Sequence, residues 1–129
     1  MERVTVSVPG DLLAAFEATM KGLGHKDRSK AIQAAMRHFV TDHRWSLGRG
    51  EGVGALLVLY DSRVRGLEDA LVETQHRHRD LVTATLHLHL AKENCLELIA
   101  VKGPAARLRA MARDLTARRG VKQVKLTVV

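Results

Sequence analysis

The segment Thr85-Leu86-His87-Leu88-His89-Leu90-Ala91-Lys92-Glu93-Asn94-Cys95-Leu96-Glu97-Leu98 decides the fold. Side chains alternate between the two faces of a strand, so Leu86, Leu88 and Leu90 make one apolar face while His87 and His89 project together from the other. The short polar run Ala91 to Glu93, followed by Leu96, Leu98 and Ile99, predicts a hairpin return. An odd loop places Cys95 opposite His89 and Glu97 opposite His87, with the leucines of both strands on the other face. A slip of one residue would carry the thiol to the leucine side. The apolar pattern therefore favours the register that gathers two imidazoles, one thiol and one carboxylate. Three of these are soft-to-borderline metal donors, one short of a closed four-coordinate site.

Working outward, Val53 to Tyr60 is a nearly unbroken apolar run, read as a strand buried on both faces. Asp61 or Ser62 can cap a helix with Val64, Leu67 and Leu71 inward, and Thr74 to Asp80 is its polar, basic exit. After the hairpin, Gly103 and Pro104 lead into a helix carrying Leu108, Met111, Ala112 and Leu115. Gly120 closes that helix, and Val124, Leu126 and Val128 alternate in a last strand. The order strand, helix, strand, strand, helix, strand is the split βαβ plan of ferredoxin-like domains, one sheet with both helices on one face. The leucine face of the hairpin is expected to meet the helices, leaving His87, His89, Cys95 and Glu97 on an open face where a second subunit could pack. The fourth donor is sought in Gln75-His76-Arg77-His78-Arg79. Sequence alone does not bring either histidine to the hairpin within one chain; a neighbour could supply it.

The N-terminal part reads differently. Arg3, Thr5 and Ser7 alternate with Val4, Val6 and Val8 in one short strand ended by Pro9 and Gly10. Asp11 can cap a helix bearing Leu12, Leu13, Phe16, Met20 and Leu23, and Ser29 a second bearing Ile32, Ala35, Met36, Phe39 and Val40. A lone strand must pair or leave its backbone as an open edge, and the simplest partner is the same strand of a second chain. An obligate dimer follows. The resulting two-stranded ribbon fits the DNA major groove, where Arg3, Thr5 and Ser7 could address base edges; the alternative is a small helical domain with a swapped strand and no DNA. His43 to Gly54 carries four glycines and reads as a hinge. The domain plan is thus 1–44 for the N-terminal unit, 45–53 for the hinge and 54–129 for the ferredoxin-like unit.

Two pieces of roughly 45 and 75 residues are short of core, so oligomerisation or metal is expected to contribute stability. The formal charge of +7 is spread, with eight basic against five acidic residues up to position 50 and thirteen against nine beyond it. That balance is compatible with a nucleic-acid partner without requiring one. A single cysteine excludes an intrachain disulfide framework and points to the cytoplasm. No segment approaches the roughly 18 apolar residues of a membrane span, and the N-terminus lacks a signal-peptide pattern.

Arg3-Val4-Thr5-Val6, Arg28-Ser29, Gln75-His76, Thr85-Leu86-His87-Leu88-His89 and Cys95-Leu96-Glu97 together resemble the NikR family, nickel-responsive ribbon-helix-helix repressors. The resemblance covers nearly the whole chain. It implies an α+β chain, a ribbon-helix-helix followed by a ferredoxin-like domain of ACT type, in a homotetramer built as a dimer of dimers. It implies a square-planar Ni(II) site of His87, His89 and Cys95 from one subunit and His76 from a neighbour, with Tyr60, Gln75 and Glu97 orienting the ligands. The implied partner is a double-stranded, palindromic DNA operator. Arg3, Thr5 and Ser7 would read its bases; Arg28, Ser29 and Lys30 would anchor phosphates, as Arg63 and Arg65 could also do. The family usually carries acidic residues at the positions of Lys30 and Ala34, where they help hold an alkali-type cation. Neither carboxylate is present, so the Lys30 ammonium either takes over that charge or binds phosphate beside Ser29. His78 reads as a solvated helix-end residue. A repressor without catalytic activity is expected: four protein ligands leave no open metal position, and no separate acid-base or nucleophile constellation exists. Other readings are a sensor of the same fold for cobalt, copper or zinc, and an ACT-type regulator that binds a small molecule.

Overall fold

A computed structural model describes residues 1–129, which divide into two compact units, Met1–Val40 and Thr41–Val129. In the first unit, residues 1–9 take no regular secondary structure, and α1 (Gly10–Gly22) and the start of α2 (Arg28–Ser46) follow. The strand expected at residues 3–8 is therefore not formed in the single chain; a lone strand has no ladder partner for its N–H and C=O groups. Two expected caps also differ. α1 starts after Pro9 with no side-chain cap, Asp11 lying inside its first turn. At α2 the cap is the Asp27 carboxylate, which accepts from the N–H of Ser29 at 2.8 Å and of Lys30 at 3.3 Å. Asp and Ser cap equally well, so the choice between neighbouring candidates falls to local geometry.

The second unit contains β1 (Glu51–Asp61), α3 (Leu67–Arg77), β2 (Val82–His89), β3 (Asn94–Pro104), α4 (Ala105–Thr116) and β4 (Val121–Val128). Its four strands form one antiparallel sheet in the order β2-β3-β1-β4, the order of the split βαβ plan. Tight glycine contacts seat the elements: a Cβ on Gly120 would lie 2.8 Å from both Leu67 and Val64, and Gly54 approaches the β4 backbone. The helix after β1 begins later than expected. Asp61 is occupied by the N–H of Arg63 at 2.9 Å, and the chain turns through Gly66, at φ 77°, before α3 starts. No helix is long and apolar enough to cross a membrane.

Packing corrects the expectation about faces. Leu56, Val58 and Tyr60 of β1 and Cys95, Ile99 and Val101 of β3 point at Leu67 and Leu71 of α3 and at Leu108, Met111 and Leu115 of α4, forming one buried cluster. Cys95 and Glu97 are buried, and their cross-strand partners His89 and His87 lie on the same face. The helices therefore cover the ligand face, and Leu86, Leu88 and Leu90 remain exposed on the other. β1 is correspondingly buried on one face only, because a single helical layer covers the sheet; Ala55, Leu57 and Leu59 are only half-buried.

Candidate metal centre

The hairpin forms in the register that the apolar pattern favours. His89 pairs with Cys95, Leu88 with Leu96 and His87 with Glu97. Leu90 N–H donates to the Asn94 carbonyl at 2.9 Å, and Lys92 turns the loop at φ 65°. Five residues separate the His89–Cys95 pair, the odd loop that alternation requires.

The result is a convergence of donors. One ligand atom each from His87, His89 and Cys95 lie within 4.8 Å of one another. The Cys95 Sγ is 3.3 Å from His89 Nδ1, and the two imidazole centroids are 4.9 Å apart. Cys95 is buried, whereas the imidazoles, carried by the edge strand β2, are exposed. Two neutral imidazoles and a thiolate form a donor set suited to late first-row divalent metals, and three donors leave room for another.

Buried polar groups orient this cluster. Glu97, 6 % exposed, brings Oε1 to 3.5 Å from His87 Nδ1. Its Oε2 accepts from Gln75 Nε2 at 2.6 Å, and Gln75 Oε1 in turn accepts from Thr85 Oγ1 at 2.8 Å. A buried carboxylate is thereby satisfied, and a carboxylate beside an imidazole can fix its tautomer. Tyr60, fully buried opposite Cys95, donates its hydroxyl to Glu68 Oε1 at 3.4 Å and lies 3.3 Å from His87 Nε2, with the rings edge-to-face. Burial, then the Glu68 and Glu97 carboxylates, push its pKa well above the phenol range, so the hydroxyl remains protonated.

Thr85 and Glu68 are the members that the sequence reading lacked. Thr85 had a signal: it lies two residues before His87 on the same strand face. Glu68 had none, since its place depends on how α3 docks.

His76, near the end of α3, is exposed and does not join the cluster within the chain. Together with Val72, Gln75, Arg79, Val82, Thr85 and Glu97 it lines a surface cavity of about 390 Å³. His78, read as solvated, is turned toward α4 instead: its Nε2 is 3.2 Å from the Asp114 carboxylate and its Nδ1 is buried without a partner.

The basic residues also sort by availability. Arg63 grips the Asp61 carboxylate through Nε at 3.2 Å and Nη2 at 3.0 Å, with Glu93 at 3.6 Å, and this fork lowers the Asp61 pKa to about 2. Arg65 is exposed. In the first unit Arg3, Thr5, Ser7, Arg28, Ser29 and Lys30 are all exposed, with Arg28 paired to Glu17. Val4, Thr5, Val6 and Val8 border an apolar groove of about 700 Å³ whose floor includes Phe16, Ile32, Met36 and Phe39.

Comparison with known proteins places these features. Residues 53–129 match the family profile described as the NikR C-terminal nickel binding domain. A protein of Methanocaldococcus jannaschii, assigned as a nickel-responsive regulator, is 41% identical over 131 aligned positions, covering 100% of this chain and 92% of its own. A protein of Methanococcus maripaludis with the same assignment is 37% identical at the same coverage. Among solved structures, an uncharacterized protein from Thermotoga maritima superposes with a TM-score of 0.57 at 15% identity, covering 62% of this chain and 99% of its own, a likeness of fold alone.

Proposed function

From the premise that the chain belongs to the NikR family, we propose that it is a nickel-responsive transcriptional repressor whose operator binding is promoted by Ni(II) held between subunits. The family is one of regulators, and the chain is a regulator rather than an enzyme. The observation that carries the proposal is the convergence of His87, His89 and Cys95 on an edge hairpin, beside an exposed His76 that stays outside the cluster of its own chain.

His76 of the partner subunit completes a His3Cys set, and bound nickel supplies a cross-link between subunits. The rest of the work belongs to side chains. Glu97 and Tyr60 hold the His87 ring, and Gln75 ties Glu97 to the helix turn that carries His76. Metal occupancy and the ordering of the α3 terminus thereby become linked events. Occupancy favours DNA only by stabilising the competent arrangement of the tetramer over the others, and a coupling of about 1–3 kcal/mol is ordinary for such linkage.

Reading DNA requires the first unit to dimerise. Val4, Val6, Phe39 and Met36 are between 61% and 78% exposed, far more apolar surface than a lone helical hairpin sustains. A second copy placing its valine strand against this groove makes the ribbon, and Arg3, Thr5 and Ser7 then face the bases of a palindromic operator. Arg28, Ser29 and Lys30 anchor phosphates, as does Arg65; Arg63 is held by Asp61. The protein works in the cytoplasm.

Gel-shift titration tests the reading: His87→Ala is expected to bind operator without responding to nickel, and an unchanged nickel response refutes the assignment. The same donors suit copper or zinc, so absorption spectra of the loaded protein distinguish a nickel sensor from a sensor of another metal.

A further inference from the structure

Between residues 48 and 54 glycine occupies every second position, a composition associated with a flexible linker. Each of these glycines is accounted for by shape. Gly48 and Gly50 have φ of 64° and 77°, a region that side-chain-bearing residues rarely adopt. A Cβ on Gly52 would lie 2.8 Å from Val128 Cγ1, and on Gly54 only 1.9 Å from the Thr127 carbonyl oxygen. The run is a tight turn followed by a close approach of two strands. The turn is also held by backbone hydrogen bonds. Leu47 N–H donates to His43 O at 3.2 Å, Gly48 N–H to Trp45 O at 3.0 Å and Arg49 N–H to Arg44 O at 3.0 Å, while Gly50 O accepts from Ala105 N–H at 2.9 Å.

Just ahead of this turn sits Trp45, the chain's single tryptophan, packed against the core of the second unit. Arg109, from α4, places its guanidinium 5.8 Å from the indole centroid and donates Nη1 to the Trp45 carbonyl at 3.1 Å. Three attractions meet at one residue. The cation faces an aromatic ring, it lies at the negative end of the α2 dipole, and it donates to a carbonyl in the last turn, where intrahelical partners run out. Gly48 lies beside Arg109 Nη1, and it is the positive φ of 64° that calls for glycine there, since a Cβ would make only an ordinary contact at 3.6 Å. Residues 41–46 of α2 accordingly belong to the compact second unit.

We propose that Trp45 and Arg109 form a clamp that makes the last turn of α2 and the glycine turn a fixed part of the regulatory unit, so that the joint between the two units lies inside α2, ahead of Trp45. Arg109 is then a positioning residue for the nickel response, because it holds the helix through which that response must pass. This second step rests on the regulatory function proposed above; the existence of the clamp does not.

The test uses the full-length protein, with Trp45 as the only tryptophan fluorophore. In the wild type, acrylamide is expected to quench Trp45 weakly, and the amides of residues 47–49 are expected to exchange slowly in hydrogen-exchange mass spectrometry. Arg109→Ala and Arg109→Gln should raise both readouts several-fold in this segment and leave the β3 amides unchanged, with Arg109→Lys partly restoring protection. The neutral variants should keep wild-type nickel affinity yet lose on the order of fivefold of the nickel-induced gain in operator affinity. A freely quenched Trp45 and unprotected turn in the wild type, or Arg109 variants indistinguishable from it, would overturn the clamp. Should nickel leave wild-type operator binding unchanged, the regulatory reading fails, and quenching and exchange still decide whether the clamp exists.

Discussion

The two units are incomplete in opposite ways. Met1–Val40 buries almost nothing, with only Met20 and Ala31 below the surface, whereas Thr41–Val129 carries twelve buried residues in one contiguous cluster. The first lacks a core of its own, and the second has a core and gathers three metal donors, one fewer than the proposed site requires. On the proposed reading the first unit would need its partner in order to fold, whereas the second would fold alone and need its partner only to bind metal. The difference teaches why one chain could use two kinds of association: the first would be permanent, and the second could answer to metal.

The largest effects should fall on the donor cluster and the core. Cys95→Ser is expected to remove tight nickel binding, read by equilibrium dialysis, while thermal melting of the metal-free protein stays close to wild type. A large drop in melting temperature would show that the thiol matters mainly as packing. In the core, Leu108→Ala should cost about 2–5 kcal/mol in urea unfolding. Ile32→Ala, at a position 43% exposed in the single chain, should act instead by weakening the dimer, with a loss that depends on protein concentration. Equal, concentration-independent losses at both positions would erase the contrast between the units.

The orienting groups come next. Gln75→Ala or Glu97→Gln should weaken nickel binding about 10- to 100-fold, since each breaks the chain from Thr85 to His87 and leaves the donors in place. Smaller again is the arginine pair. Arg65→Ala should lower the salt slope of operator binding by about 1, whereas Arg63→Ala, whose fork is already engaged by Asp61, should leave the slope unchanged. The smallest effect is a pH dependence. Arg63 holds the Asp61 pKa near 2 in the folded chain, below the unfolded carboxyl value of about 4. The stability contributed by this depressed acid is complete above the unfolded value and is lost as pH falls through the folded one. The difference in melting temperature between wild type and Asp61→Asn should therefore be constant near neutrality, shrink as pH falls below about 4 and vanish only below about 2.

Much of the hairpin is legible in the amino-acid sequence. Strict alternation of Leu86, His87, Leu88 and His89, answered by Cys95 and Glu97, leaves one register that keeps the leucines together, and that register forms. The choice of face was not legible. Leucine marks an apolar surface without saying whether a helix covers it, and here the helices cover the side bearing Cys95 and Glu97, continued by Ile99 and Val101. The alternation at residues 3–8 reads as a strand, yet none forms in the single chain, where its N–H and C=O groups have no ladder partner. His76 belongs to the same class. It lies exposed outside the cluster of its own chain, and its spacing from His87 does not decide whether it joins the hairpin of another copy.

That question has a direct measurement. His76→Ala and His87→Ala chains, each expected to bind nickel weakly alone, are unfolded together, refolded as mixed oligomers and titrated with nickel. If His76 serves the partner's hairpin, every mixed pair contains one intact site and one doubly damaged site, so random mixing should restore about a quarter of the wild-type tight sites. No recovery on mixing, or tight binding by His76→Ala alone, would contradict a metal site shared between subunits.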